Sequence, residues 1–99
     1  MTRYQFPCKL YKTGEITIPA FIRKAMKLNE GDIIQIDWEG TRILVTPKLD
    51  QSLINEVIVG RKGVVHIPVE IRRLLQLKPH TFFQGYVELS KKIVVIEPI

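Results

Sequence analysis

Apolar and polar residues alternate at period two along several short runs of this chain, and a turn-forming cluster closes each run. Ile16, Thr17 and Ile18 set the pattern, which predicts a half-buried strand. Residues 6–11 predict an earlier strand that ends at Lys12-Thr13-Gly14, where glycine takes a positive φ at no steric cost. Pro19 stops the second strand and suits the first turn of a helix, where its missing N–H loses no partner. The period then becomes helical over residues 20–27. Phe21 or Ile22 with Ala25 and Met26 forms the apolar side, which leaves Arg23, Lys24 and Lys27 toward water. Asn29-Glu30-Gly31-Asp32 predicts a turn, and residues 33–38 and 42–46 predict a hairpin joined at Glu39-Gly40-Thr41. Residues 47–52 read as a short linker.

The same order then returns, with strands over residues 54–60, 64–67, 82–89 and 93–97 and a helix over residues 69–77. Gly14, Ile18-Pro19, Ile22-Arg23 and Leu28 recur forty-nine positions on as Gly63, Ile67-Pro68, Ile71-Arg72 and Leu77. Lys24 is answered by Arg73 and Lys12 by Arg61. Lys78-Pro79-His80-Thr81 replaces the first turn after the helix, and the second hairpin is two residues longer. This repeat predicts two units built alike, residues 1–49 and 50–99. Units of that size bury too little surface to be stable alone, and Cys8 is the only cysteine, so no disulfide within the chain helps. The two units are therefore expected to share one core. Cys8 is expected to act as a small apolar filler, and a lone cysteine fits a reducing, cytoplasmic setting.

The formal net charge of +5 is divided between the two halves and not gathered in a tail. Such a balance suits contact with a phosphate backbone without requiring it. No signal-peptide h-region opens the chain, and no apolar stretch approaches the roughly twenty residues of a membrane span. A cytoplasmic protein with no membrane partner is expected. His66, His80 and Cys8 show no metal-ligand spacing, and the chain has no nucleophile elbow or Gly-rich phosphate loop. No enzyme activity, metal or cofactor is expected.

The succession of strand, turn glycine, strand, Ile-Pro, Ile-Arg with a second basic residue, leucine, turn and hairpin resembles the AbrB/SpoVT/MazE family of DNA-binding domains. Its carriers here are Gly14, Ile18-Pro19, Ile22-Arg23-Lys24, Leu28 and Gly31-Asp32, then Gly63, Ile67-Pro68, Ile71-Arg72-Arg73 and Leu77. The resemblance implies a mainly β fold with two short helices, a swapped-hairpin β-barrel in which two units interleave their strands. With both units on one chain, it implies an intramolecular pseudo-dimer. A short tether favours this, giving a local concentration on the order of mM, while exchange into a homodimer stays open.

The resemblance also implies double-stranded DNA as partner and a role as a transcriptional regulator, through sequence-specific or architectural binding. Arg23, Lys24, Arg72 and Arg73 stand where family members contact DNA. Lys12, Arg61 and Lys62 flank the turn glycines, and Lys9 stands where family strands often carry a basic contact, with Ile58 as its counterpart. The chain departs from the family in having Glu15 and Val64, where arginine commonly follows the glycine. It also lacks the Asp-x-x-x-Arg element of the MraZ group. The alternative is a protein-interaction module, either an antitoxin-like partner or an oligomerisation scaffold that has lost DNA binding. Ile99 directly follows the last predicted strand, so a long toxin-wrapping tail is not expected. Arg61, Lys62, Arg72 and Arg73 lie in the second copy against Glu70 alone, whereas the first copy carries Glu15. A binding face dominated by the second copy, or an asymmetric target, is the expectation.

Overall fold

The strand pairing follows from which faces are apolar. A computed structural model describes residues 4–47 and 55–99; most of the expected linker and the start of the following strand, at Ile54, lie outside the described residues. In chain order the elements are β1 (Tyr4–Lys9), β2 (Glu15–Thr17), α1 (Ala20–Met26), β3 (Ile33–Glu39), β4 (Arg42–Pro47) and β5 (Glu56–Ile58). A 3₁₀ turn (Arg61–Gly63) then leads to β6 (Val64–His66), α2 (Val69–Leu74), β7 (Phe82–Glu88) and β8 (Ile93–Pro98). The fold is mainly β with two short helices, as expected.

Six strands form one antiparallel sheet in the order β1-β7-β8-β4-β3-β5, and β2 and β6 form a separate two-stranded ribbon. The expected closed barrel is not found among the described residues. The ladder is open, with β1 and β5 at its ends. The three-residue strands β2 and β6 pack beside β1 and β5, but spend their ladder bonds on each other and so close nothing. Within the sheet, β1 of the first half pairs with β7 of the second, and β5 of the second with β3 of the first.

The register is centred on equivalent residues. Ile16 faces Val65 in the ribbon, and Leu44 faces Val95 where β4 meets β8. Loop hydrogen bonds recur in the same way: Leu10 N donates to Thr81 O at 2.9 Å, as Val59 N does to Asp32 O at 2.9 Å. His80 N donates to Leu10 O at 2.7 Å, as Gly31 N does to Val59 O at 2.8 Å. The turn after α2 is thus kept, with His80 (φ 69°) in the left-handed conformation that Gly31 (φ 92°) holds in the first half.

Both helices end in a Schellman motif. Leu28 N donates to Arg23 O and Leu77 N to Arg72 O, each at 2.9 Å. Lys27 (φ 57°) and Gln76 (φ 53°) occupy the left-handed position where glycine is usual. Hence α2 stops at Leu74, short of the expected Leu77, and the recurring leucine is the residue after the cap that folds back onto the core.

Alternating positions fill that core: Ile34 and Ile36 from β3, Ile43 and Val45 from β4, Phe83 and Val87 from β7, Val94 and Ile96 from β8, with Ile22 and Ile71 from the helices. Phe6 faces Gly85 across β1 and β7, and its ring occupies the space a Cβ at Gly85 would need. Cys8 packs partly buried against this core, and burial pushes its thiol pKa up to about 12, so it stays protonated and inert. No described polar or charged side chain is fully buried, so the chemistry this fold offers lies on its surface.

Candidate nucleic-acid interface

The Ile-Pro corners deliver the basic residues. Pro19 (φ −59°) and Pro68 (φ −53°) each turn the chain from the ribbon into a helix without a side-chain cap. One turn later, Arg23 Nε donates to Ile18 O at 3.0 Å, and Arg72 Nε to Ile67 O at 2.9 Å. The isoleucine N–H groups reach across the molecule: Ile18 N donates to Gly63 O and Ile67 N to Gly14 O, each at 2.9 Å. Each arginine then lies over the glycine of the opposite half. A Cβ on Gly63 would sit 2.5 Å from Arg23 Nε, and one on Gly14 would sit 2.6 Å from Arg72 Cζ. The recurring glycine, isoleucine and arginine are therefore parts of one interlock between the halves. Arg23 and Arg72 are half-buried, and the Nε bond orients each guanidinium plane.

Lys24 and Arg73, one position further on each helix, are exposed, as are Lys12, Arg61 and Lys62 in the turns. The interlock decides how these residues group. The Arg61–Gly63 turn packs against α1, and the turn ending in Gly14 lies against Arg72 of α2. Arg61 and Lys62 thus join Arg23 and Lys24, while Lys12 joins Arg72 and Arg73. The expected gathering of Arg61, Lys62, Arg72 and Arg73 around one helix of the second copy is corrected, because the ribbon's antiparallel pairing carries each turn to the helix of the other half. A shallow hollow of about 520 Å³ runs along α1, with Arg23, Lys24 and Lys27 in its lining.

Lys9 stands on β1, with Nζ 5.1 Å from the centroid of the Tyr11 ring in a cation–π contact. Its register partner is Phe82. Glu15 and His66 face each other across the ribbon with His66 Nε2 3.9 Å from Glu15 Oε1, and the Thr13 hydroxyl donates to the same carboxylate. His66 is thus an exposed ribbon residue.

Charge divides unevenly among the elements. Among the described residues, the helices, their following turns and the glycine turns hold nine basic residues (Lys27 and Lys78 besides the seven grouped above) against Glu15, Glu30, Asp32 and Glu70. The sheet strands and their hairpins hold Asp37, Glu39, Glu56, Glu88 and Glu97 against Lys9, Arg42, Lys91 and Lys92. Nothing in the sequence singles out Arg42, and the structure explains why it stays out of the site. Bonds to the Tyr86 hydroxyl (3.3 Å) and to Glu39 raise its pKa, and Glu97 lies at 3.8 Å, so its charge is answered locally. Among the described residues the excess positive charge is carried by the helices and turns, and Lys91 and Lys92 of the hairpin between β7 and β8 line one hollow with Lys27 and Asp32.

No group of three or more His, Cys, Asp or Glu side chains gathers as a metal site among the described residues, and no helix there is long and apolar enough to cross a membrane. No family model and no curated protein matches the chain. Among solved structures it is similar to the solution structure of PHS018 from Pyrococcus horikoshii, with a TM-score of 0.56 and 21% identity over 96% of this chain and 92% of that chain. That likeness concerns the fold.

Proposed function

We propose that this chain binds double-stranded DNA as a transcriptional regulator of the AbrB/SpoVT/MazE type, its two repeats exchanging strands as an intramolecular swapped-hairpin pseudo-dimer. The observation that carries the reading is the pair of basic clusters formed where a helix of each half meets the turn of the other, Arg23 and Lys24 with Arg61 and Lys62, and Arg72 and Arg73 with Lys12. The two clusters lie at the two ends of a short antiparallel ribbon. Gly14 and Ile18 are four residues apart, which sets the ends roughly 13 Å from each other. That spacing is close to the width of a major groove, about 12 Å, so both ends can reach phosphates of one duplex. Lys24, Arg73, Arg61, Lys62 and Lys12 act as backbone contacts, and Arg23 and Arg72 add oriented guanidinium groups suited to phosphate oxygens or guanine.

The test is a titration of duplex binding against salt. Four to six phosphate contacts give a log–log slope of roughly −4 to −5. Alanine at Lys24, Arg61, Lys62 and Arg73 together should abolish binding while the fold persists. Affinity that is flat with salt, or unchanged in that variant, would leave an interaction scaffold as the better reading.

A further inference from the structure

We infer that these two basic clusters are unequal and that duplex contact is concentrated at the α1 end; this rests on the double-stranded DNA reading above. In the last turn of α1 stand Arg23, whose side chain reaches back to Ile18 O, and Lys24, joined by Arg61 and Lys62 from the opposite turn. Neither α1 nor that turn contains an acidic residue. The corresponding places at the α2 end hold Arg72, Arg73 and Lys12, with Thr13 where the other turn has Lys62, and Lys9 (Ile58 in the other half) lies over Tyr11 at the base of that turn.

Two carboxylates intrude at the α2 end. Glu70 lies in the first turn of α2 where α1 has Phe21, and Glu15 lies on the ribbon where the other end has Val64. The Thr13 hydroxyl holds the Glu15 carboxylate in place. A carboxylate beside the cations offsets their pull on phosphate and repels the phosphate itself, well within the screening length of about 8–10 Å. The turns after the helices carry the opposite bias, Glu30 and Asp32 against Lys78. They meet the chain two residues ahead of Arg61 and of Lys12, Gly31 and Asp32 at Val59 and His80 and Thr81 at Leu10. The inequality therefore rests on the ribbon and the helix starts, where Glu15 and Glu70 stand against Val64 and Phe21. The glycine turns also differ in shape: Lys62 takes φ 58° within a 3₁₀ turn, whereas Gly14 alone has positive φ in the first turn. Near-symmetric backbone with unequal charge makes the α1 end the stronger phosphate contact.

The experiment measures anisotropy of a labelled random-sequence duplex with the full chain at several salt concentrations. It compares wild type, Lys24→Ala/Lys62→Thr, Lys12→Ala/Arg73→Ala and Glu15→Val/Glu70→Gln, each checked for its urea midpoint. The α1-end pair should lower the magnitude of the salt slope by about 2 and affinity at least tenfold, since each phosphate no longer neutralised removes about 0.9 of slope. The α2-end pair should cost less than about threefold, and the Glu15→Val/Glu70→Gln pair should bind more tightly than wild type. Equal losses from the two basic pairs, or no gain on removing the carboxylates, would overturn the inequality while the duplex reading stands. Absence of wild-type binding would overturn the duplex reading and the inequality with it.

Discussion

Arg23 lies against Gly63 so closely that any side chain there would displace it: the guanidinium Nε stands 2.5 Å from where a Cβ would be, and the Ile18 carbonyl is nearer still. Gly63 also has φ 82°, which L side chains resist. Gly63→Ala should therefore lose about 2–4 kcal/mol, from steric displacement added to left-handed strain. Gly14→Ala should cost less, about 1–3 kcal/mol, since its Cβ would meet only the Arg72 side chain, which can move aside at the loss of its bond to Ile67 O. Gly31 is the control, with φ 92° but nothing within 4 Å of its Cβ position, so Gly31→Ala should cost only about 1–2 kcal/mol. Urea denaturation of the three variants checks the order. Equal losses in all three would show that the left-handed backbone, and not the atoms crowding the Cβ position, sets the cost.

Adjacent basic residues on α1 should separate stability from binding. Lysine at position 23 keeps the charge but has no Nε donor for the Ile18 carbonyl, so Arg23→Lys should cost about 1–2 kcal/mol of stability. Lys24 is exposed, and Lys24→Ala should stay within about 0.5 kcal/mol while weakening duplex affinity. The pair is read by urea midpoints alongside anisotropy, and a reversed order would remove the interlock from the account.

Much of the fold is legible in the sequence because period, proline and glycine act locally. The strands of both hairpins and the helix starts at Pro19 and Pro68 follow from residues within a few positions of one another. The helix ends are harder to read, because Lys27 and Gln76 occupy left-handed positions that only a glycine would have announced. His80 hides the second turn in the same way. The candidate site is legible as a set of basic residues and not as a grouping. Which turn meets which helix depends on Ile16 facing Val65, a pairing between distant parts of the chain that no local pattern encodes. The recurrence of Arg23 and Arg72 likewise has a packing cause, and the residues most free to contact a partner are the exposed Lys24 and Arg73.

Phe6 and Gly85 should couple strongly. Ring and glycine share one core position across β1 and β7, whereas the equivalent pair in the other half is Asn55 and Ile36. Phe6→Ala should cost about 3–5 kcal/mol by opening a cavity, and Gly85→Ala about 1–3 kcal/mol by overpacking. In the double variant the new methyl enters the space the ring left, so the combined loss should fall short of the sum by more than about 0.5 kcal/mol. Additive losses would show that the two residues do not occupy one space.

Cys8 should make stability depend on pH above neutrality. Burial raises the folded thiol to about 12 from an ordinary value of 9.0. Below pH 9 both folded and unfolded chains hold the proton, and the thiol contributes no pH dependence. Above it the unfolded chain ionises while the folded one does not, so the unfolded state gains. Stability attributable to this group is thus complete below about pH 9 and is lost as pH rises toward 12, at up to about 1.4 kcal/mol per pH unit. Lysines and tyrosines titrate in the same range, so the measurement is a difference. Urea midpoints of wild type and Cys8→Ala at pH 8, 9.5 and 10.5 should move apart, with wild type losing ground. Parallel curves would mean that a thiolate is tolerated at this position and that Cys8 is less enclosed by the core than its packing indicates.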